Sequence, residues 1–138
     1  MKITIAGGRT YSLTESDFAY LDKLKAELSI DAVVLARISP KLTAGTGVDA
    51  RKWAASNDIA VTEIRARPQK YMARNIVRAT DCVVAFPGGA STIRVVRQAE
   101  EKGKPVMLAQ PMDVWPSYFG FTFPSQAPKR PTLTLKTA

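Results

Sequence analysis

Residues 82–92 read Cys-Val-Val-Ala-Phe-Pro-Gly-Gly-Ala-Ser-Thr. The apolar run from Cys82 to Phe86 shows no polar alternation, which is the pattern of a short strand buried on both faces of a parallel sheet. Pro87 ends it, Gly88 and Gly89 free the backbone for a turn, and the spacing predicts a helix over 91–102 that Gly103 stops. A buried strand turning sharply into a helix is one βα unit.

The same grammar recurs on both sides. Lys2 to Ala6 (KITIA) is a β-rich run that stops at Gly7-Gly8, and Thr14 is placed to cap a helix over 15–28 with Phe18, Leu21, Leu24 and Leu28 at helical spacing. Ala32 to Ala36 (AVVLA) is a second fully apolar strand. The loop 37–47 follows, and then a helical pattern over 48–57 around Val48, Trp53 and Ala54. A short strand over 59–64, a helix over 71–80 with Met72, Ile76 and Ala79 on one side, and a strand over 105–109 complete the series. Five strands alternating with helices predict a three-layer α/β sandwich with a mainly parallel sheet, because parallel neighbours need a helical crossover between them. The expected domain covers 1–109. Beyond it, 110–138 holds five of the nine prolines and the cluster Trp115, Tyr118, Phe119, Phe121 and Phe123. That composition reads as a strap packing its aromatics on the core, or alternatively as a subunit contact or pocket lid.

Composition narrows the function classes. The chain has 138 residues, no histidine and one cysteine, Cys82, so one chain cannot build a zinc finger, a Ser-His-Asp triad or a CxxC redox site. No metal site and no cofactor fingerprint is expected: GxGxxG and Walker A are both missing. The lone cysteine reads as a buried thiol. No apolar run approaches the ~20 residues that span a bilayer, and Met1-Lys2 leads directly into a strand, so a cytoplasmic location is expected. The net charge of +8 attracts anions. Much of it falls between positions 63 and 97, where Arg65, Arg67, Lys70, Arg74, Arg78, Arg94 and Arg97 meet only Glu63 and Asp81. This is either a solvated basic face or a surface for nucleic acid.

Three loops fall where an open parallel sheet binds ligands, at the carboxyl ends of its strands beside helix N-termini. Gly7-Gly8-Arg9 is a tight turn, or a site where phosphate reaches the backbone and Arg9 grips it. In Thr43 to Asp49, Gly45 and Gly47 flank Thr46 at a helix start; Asp49 either caps amides of the first turn or contacts a ribose or base. Pro87, Gly88, Gly89, Ser91 and Thr92 form the strongest anion signal, combining a free backbone with two hydroxyls at a helix N-terminus. Arg74, expected on the ligand side after the third strand, is the cation best placed to meet the same phosphate.

Taken in order, these loops resemble the SLOG superfamily of Rossmann-like nucleotide-binding domains, and most closely its small single-domain branch related to YspA and YpsA. The resemblance covers about residues 2–109. It rests on Gly7-Gly8-Arg9, on Ala44 to Asp49 with Trp53-Ala54, on the pair Arg74-Asn75, on Thr80 to Phe86, on Pro87 to Thr92 and on Gly103-Lys104-Pro105-Val106. It implies a Rossmann-like sandwich that binds an AMP-like or ADP-ribose-like ligand, sensing or sequestering it, and that self-associates as a homo-oligomer. The implied ligand-binding set is Gly7, Gly8, Arg9, Gly45, Thr46, Gly47, Asp49, Arg74, Asn75, Pro87, Gly88, Gly89, Ser91 and Thr92. The related LOG enzymes, which cleave nucleoside 5'-monophosphates at the N-glycosidic bond, carry M-x-x-R-K and P-G-G-x-G-T-x-x-E. Here Met72 and Arg74 lie near the first motif with Asn75 in place of Lys, and Val95 occupies the position of the Glu. Val95 cannot stabilise a sugar cation, so hydrolysis is the alternative expectation, with Asp49 and Arg74 its candidate catalytic residues. DNA binding through the basic face is a second alternative.

Overall fold

The computed structural model describes residues 1–37, 41–65, 71–111 and Trp115. The elements alternate as the sequence predicts: β1 (Lys2–Ala6), α1 (Glu15–Leu28), β2 (Ala32–Ala36), α2 (Thr46–Ser56), β3 (Ala60–Ile64), α3 (Met72–Ala79), β4 (Cys82–Ala85), α4 (Ala90–Glu101) and β5 (Val106–Leu108). The five strands lie in the order β3-β2-β1-β4-β5. Every neighbouring pair is parallel.

Strand alternation divides the core into two layers. Cys82, Val84 and Phe86 join Ile3, Ile5, Leu21, Leu24 and Trp53 beneath α1 and α2, while Val83 and Ala85 join Ile76, Val77, Ile93 and Val96 beneath α3 and α4. A sheet covered on both faces explains why β2 and β4 are apolar throughout. Trp115 is buried in the α3/α4 layer, its indole N–H donating to the Gln110 carbonyl at 3.0 Å. Tyr118, Phe119, Phe121 and Phe123, like Arg67 and Lys70, lie outside the described residues.

Helix ends follow local chemistry. Thr14 caps α1 as expected, in a reciprocal capping box: its hydroxyl accepts from the Asp17 amide, and the Asp17 carboxylate accepts from the Thr14 amide at 3.0 Å. The Asp17 carboxylate also accepts from the Tyr11 hydroxyl at 2.6 Å, fixing the segment between β1 and α1. α4 ends in a Schellman motif, with the Gly103 amide bonded to Glu100 O and the Lys104 amide to Ala99 O. The Lys104 ammonium then donates to the carbonyls of Val77 and Thr80, each at 2.7 Å, closing the end of α3. α2 begins two residues before the predicted position, because Gly45 at φ 113° turns the chain into the helix ahead of the first apolar residue of the pattern.

Cys82 is buried, and desolvation, reinforced by Asp81, pushes its thiol up to about 11. The thiol form is therefore favoured in the folded protein. Its contribution to stability is complete below the thiol's ordinary range and is lost as pH rises toward about 11. We expect iodoacetamide at pH 8 to leave native Cys82 unmodified and to label it rapidly in denaturant; rapid labelling of the native chain would contradict this burial.

Candidate functional site

The connections from β1 run outward to β2 and β3, and those from β4 run the other way to β5, so the chain reverses direction between β1 and β4. At such a switch point the diverging loops leave a crevice at the carboxyl ends of the strands. Here it is a cleft of about 760 Å³.

The cleft is framed by backbone stitches. The Phe86 amide donates to Ala6 O at 2.8 Å and the Gly8 amide to Pro87 O at 2.9 Å, while Gly8 O accepts from the amides of Tyr11 and Thr46, each at 3.2 Å. The glycines around this hub are required by packing. A Cβ on Gly7 would sit 2.4 Å from the Thr46 hydroxyl, one on Gly88 would sit 2.2 Å from the Thr92 hydroxyl, and one on Gly45 would sit 2.4 Å from the Arg9 carbonyl oxygen. Part of the glycine signal in the sequence is therefore loop-on-helix contact.

Of the expected site residues, the structure brings Gly7, Gly8, Arg9, Gly45, Gly47, Gly89, Ser91 and Thr92 to the cleft wall. Thr46 lies behind it, almost fully buried, with its hydroxyl donating to Tyr11 O at 2.9 Å. Pro87 and Gly88 form the stitched layer beneath and do not line the space. Asp49 is turned away: its carboxylate accepts from the Leu13 amide at 2.9 Å and holds that segment. Arg74 lies on the exposed side of α3 with its guanidinium over the Tyr71 ring, 5.1 Å from the centroid, and neither it nor Asn75 lines the cleft. From α3, Met72 and Ile76 face the cleft instead.

The wall has two chemical halves. One is polar backbone: the N-termini of α2 and α4 open onto it, and their N-caps, Gly45 and Gly89, provide no side-chain acceptor for the first-turn amides. The Thr46 amide is taken by Gly8 O; the remaining first-turn N–H groups and the helix dipoles favour an anion there. The other half is apolar, with Ala6 and Ala36 on the sheet facing Met72 and Ile76 on α3 and Val95 on α4. Among the described residues, Arg9 and Arg37 are the ionisable groups that line the cleft, and no carboxylate does. Arg37 escaped the sequence reading although it directly follows an apolar strand, the position that the carboxyl-end rule selects. Val95 is 4% exposed, so the position occupied by Glu in the LOG motif presents a buried isopropyl group.

Among the described residues no cluster of His, Cys, Asp or Glu is suited to a metal ion, and no helix is long and apolar enough to cross a membrane. No protein-family model matches the chain, and no curated protein matches it significantly.

Proposed function

We propose that the cleft binds a nucleotide or nucleotide-derived signal, AMP-like or ADP-ribose-like, and that the protein senses or sequesters it. The observation that carries this reading is the two-sided wall at the switch point: N-termini of α2 and α4 without side-chain caps beside Arg9 and Arg37, opposite an apolar surface. A phosphate suits the first half and a sugar-linked base the second. The volume of about 760 Å³ falls in the ordinary range for small-molecule sites. Binding is favoured over N-glycosidic cleavage because the carboxylate nearest in sequence, Asp49, is committed to Leu13.

Thermal unfolding at fixed low salt against AMP, ADP-ribose and cyclic nucleotides tests the proposal. A ligand at about 100 times its dissociation constant adds roughly 2.7 kcal/mol, a rise of several degrees. Arg9→Ala is expected to weaken the ligand that responds by about 10- to 100-fold in calorimetry, the usual worth of a charge-assisted hydrogen bond. Arg74→Ala, outside the wall, should change it less than about twofold. No shift with any nucleotide would sink the proposal. A large loss for Arg74→Ala would restore that residue to the site.

A further inference from the structure

The outer surface of the α3/α4 layer carries chemistry that the cleft does not use. Arg74 and Arg78 on α3 and Arg94 and Arg97 on α4 are all exposed, and the two helices pack side by side. Among the described residues none of the four is in an ion pair, and none lines the cleft. Acids near this face are few or engaged. α3 carries none, the Asp81 carboxylate accepts from the Lys2 amide at 2.8 Å, Glu63 pairs with Arg51, and the acids of α4, Glu100 and Glu101, stand at its C-terminal end, one turn beyond Arg97 and two beyond Arg94.

Helix stability accounts for Arg78, in the last turn of α3 where the dipole favours a cation, but not for Arg74. Arg74 and Arg78 are one turn apart, where like charges repel, and Arg74 stands in the first turn of α3, where the helix dipole disfavours a cation. All four cations are arginines, whose planar donors suit phosphate oxygens better than a lysine point charge does.

We infer that the exposed face of α3 and α4 is a docking surface for the phosphate backbone of duplex nucleic acid. A lipid surface fits less well, since among the described residues the exposed large apolar side chains are Met1 and Leu42, and neither belongs to these helices. A single strand fits less well because it needs aromatic platforms, and among the described residues the aromatic at the edge of this face, Tyr71, has the Arg74 guanidinium over its ring. Arginines on a helical surface, without base-reading side chains in a groove, give binding that is indifferent to sequence.

Fluorescence anisotropy with a labelled duplex of about 20 base pairs tests this. Four phosphate contacts predict a log-log salt slope of about −3.6, so affinity falls by about 150-fold between 50 and 200 mM salt. Arg94→Ala with Arg97→Ala should reduce the slope to about −1.8, whereas Arg→Lys at the same positions should retain it, and unfolding midpoints near wild type would show both variants folded. Excess AMP should leave the duplex bound, which separates this surface from the cleft. Four results would each overturn the inference: an unchanged slope in the double alanine variant, displacement by AMP, capture only by phosphatidylserine vesicles, or self-association through these arginines without duplex binding.

Discussion

Gly45→Ala is expected to destabilise the protein by about 3 kcal/mol, lowering the unfolding midpoint by about 10 °C. Two penalties coincide at this residue. Its φ of 113° is one that a Cβ makes strained, and the added carbon would meet the backbone oxygen of Arg9 at 2.4 Å. A side chain can swing aside; this carbonyl belongs to the segment that Gly8 anchors through Tyr11 and Thr46. Relief therefore requires moving the start of α2 away from the β1 loop, which opens the cleft wall. Gly103→Ala isolates the first penalty, because Gly103 also has positive φ, 70°, but nothing lies within 4 Å of its Cβ position. It should cost about 1 kcal/mol and leave the proposed nucleotide binding intact. Equal losses for the two variants would show that the Arg9 contact is easily relieved.

Phe86→Ala should have the largest effect on stability, about 4 kcal/mol, with a midpoint fall of more than about 10 °C. The ring is completely buried and stacks on Tyr11, centroids 6.5 Å apart and 19° between planes. Tyr11 in turn holds Asp17. Removing the ring leaves a cavity under the β1-to-α1 segment at the end of the sheet where the cleft lies. Phe86→Leu, which keeps most of the volume, should recover more than half of the loss. A loss under about 1 kcal/mol for Phe86→Ala in denaturant melts would mean that the neighbouring side chains collapse into the space.

The fold was readable because its boundaries carry punctuation. Thr14, Pro87 and Gly103 mark helix or strand ends by local chemistry, and the all-apolar runs of β2 and β4 announce a sheet covered on both faces. The apolar pattern of α2 begins only at Val48, and the helix start at Thr46 shows in the glycine loop alone, because its cap is a glycine backbone with no side-chain signature. The cleft was legible as glycine loops, but the division of labour within it was not. That Gly7 and Gly88 make room for Thr46 and Thr92 depends on contacts between segments distant in sequence. Arg74 is different, since a signal was present: it stands two positions from both Met72 and Ile76, and residues two apart on a helix face away from each other. Once Met72 and Ile76 turn toward the cleft, Arg74 points outward.

The stitches around Gly8 also bear on how fast a ligand is captured. Its amide is bonded to Pro87 and its carbonyl to Tyr11 and Thr46, so loops from β1, β4 and α2 are joined through one residue before any ligand arrives. A site assembled in advance pays little ordering entropy on association, and its encounter rate is set by diffusion and electrostatic steering. Deuterium uptake at the Gly8 amide should accordingly be as slow as at the core strands, with or without nucleotide.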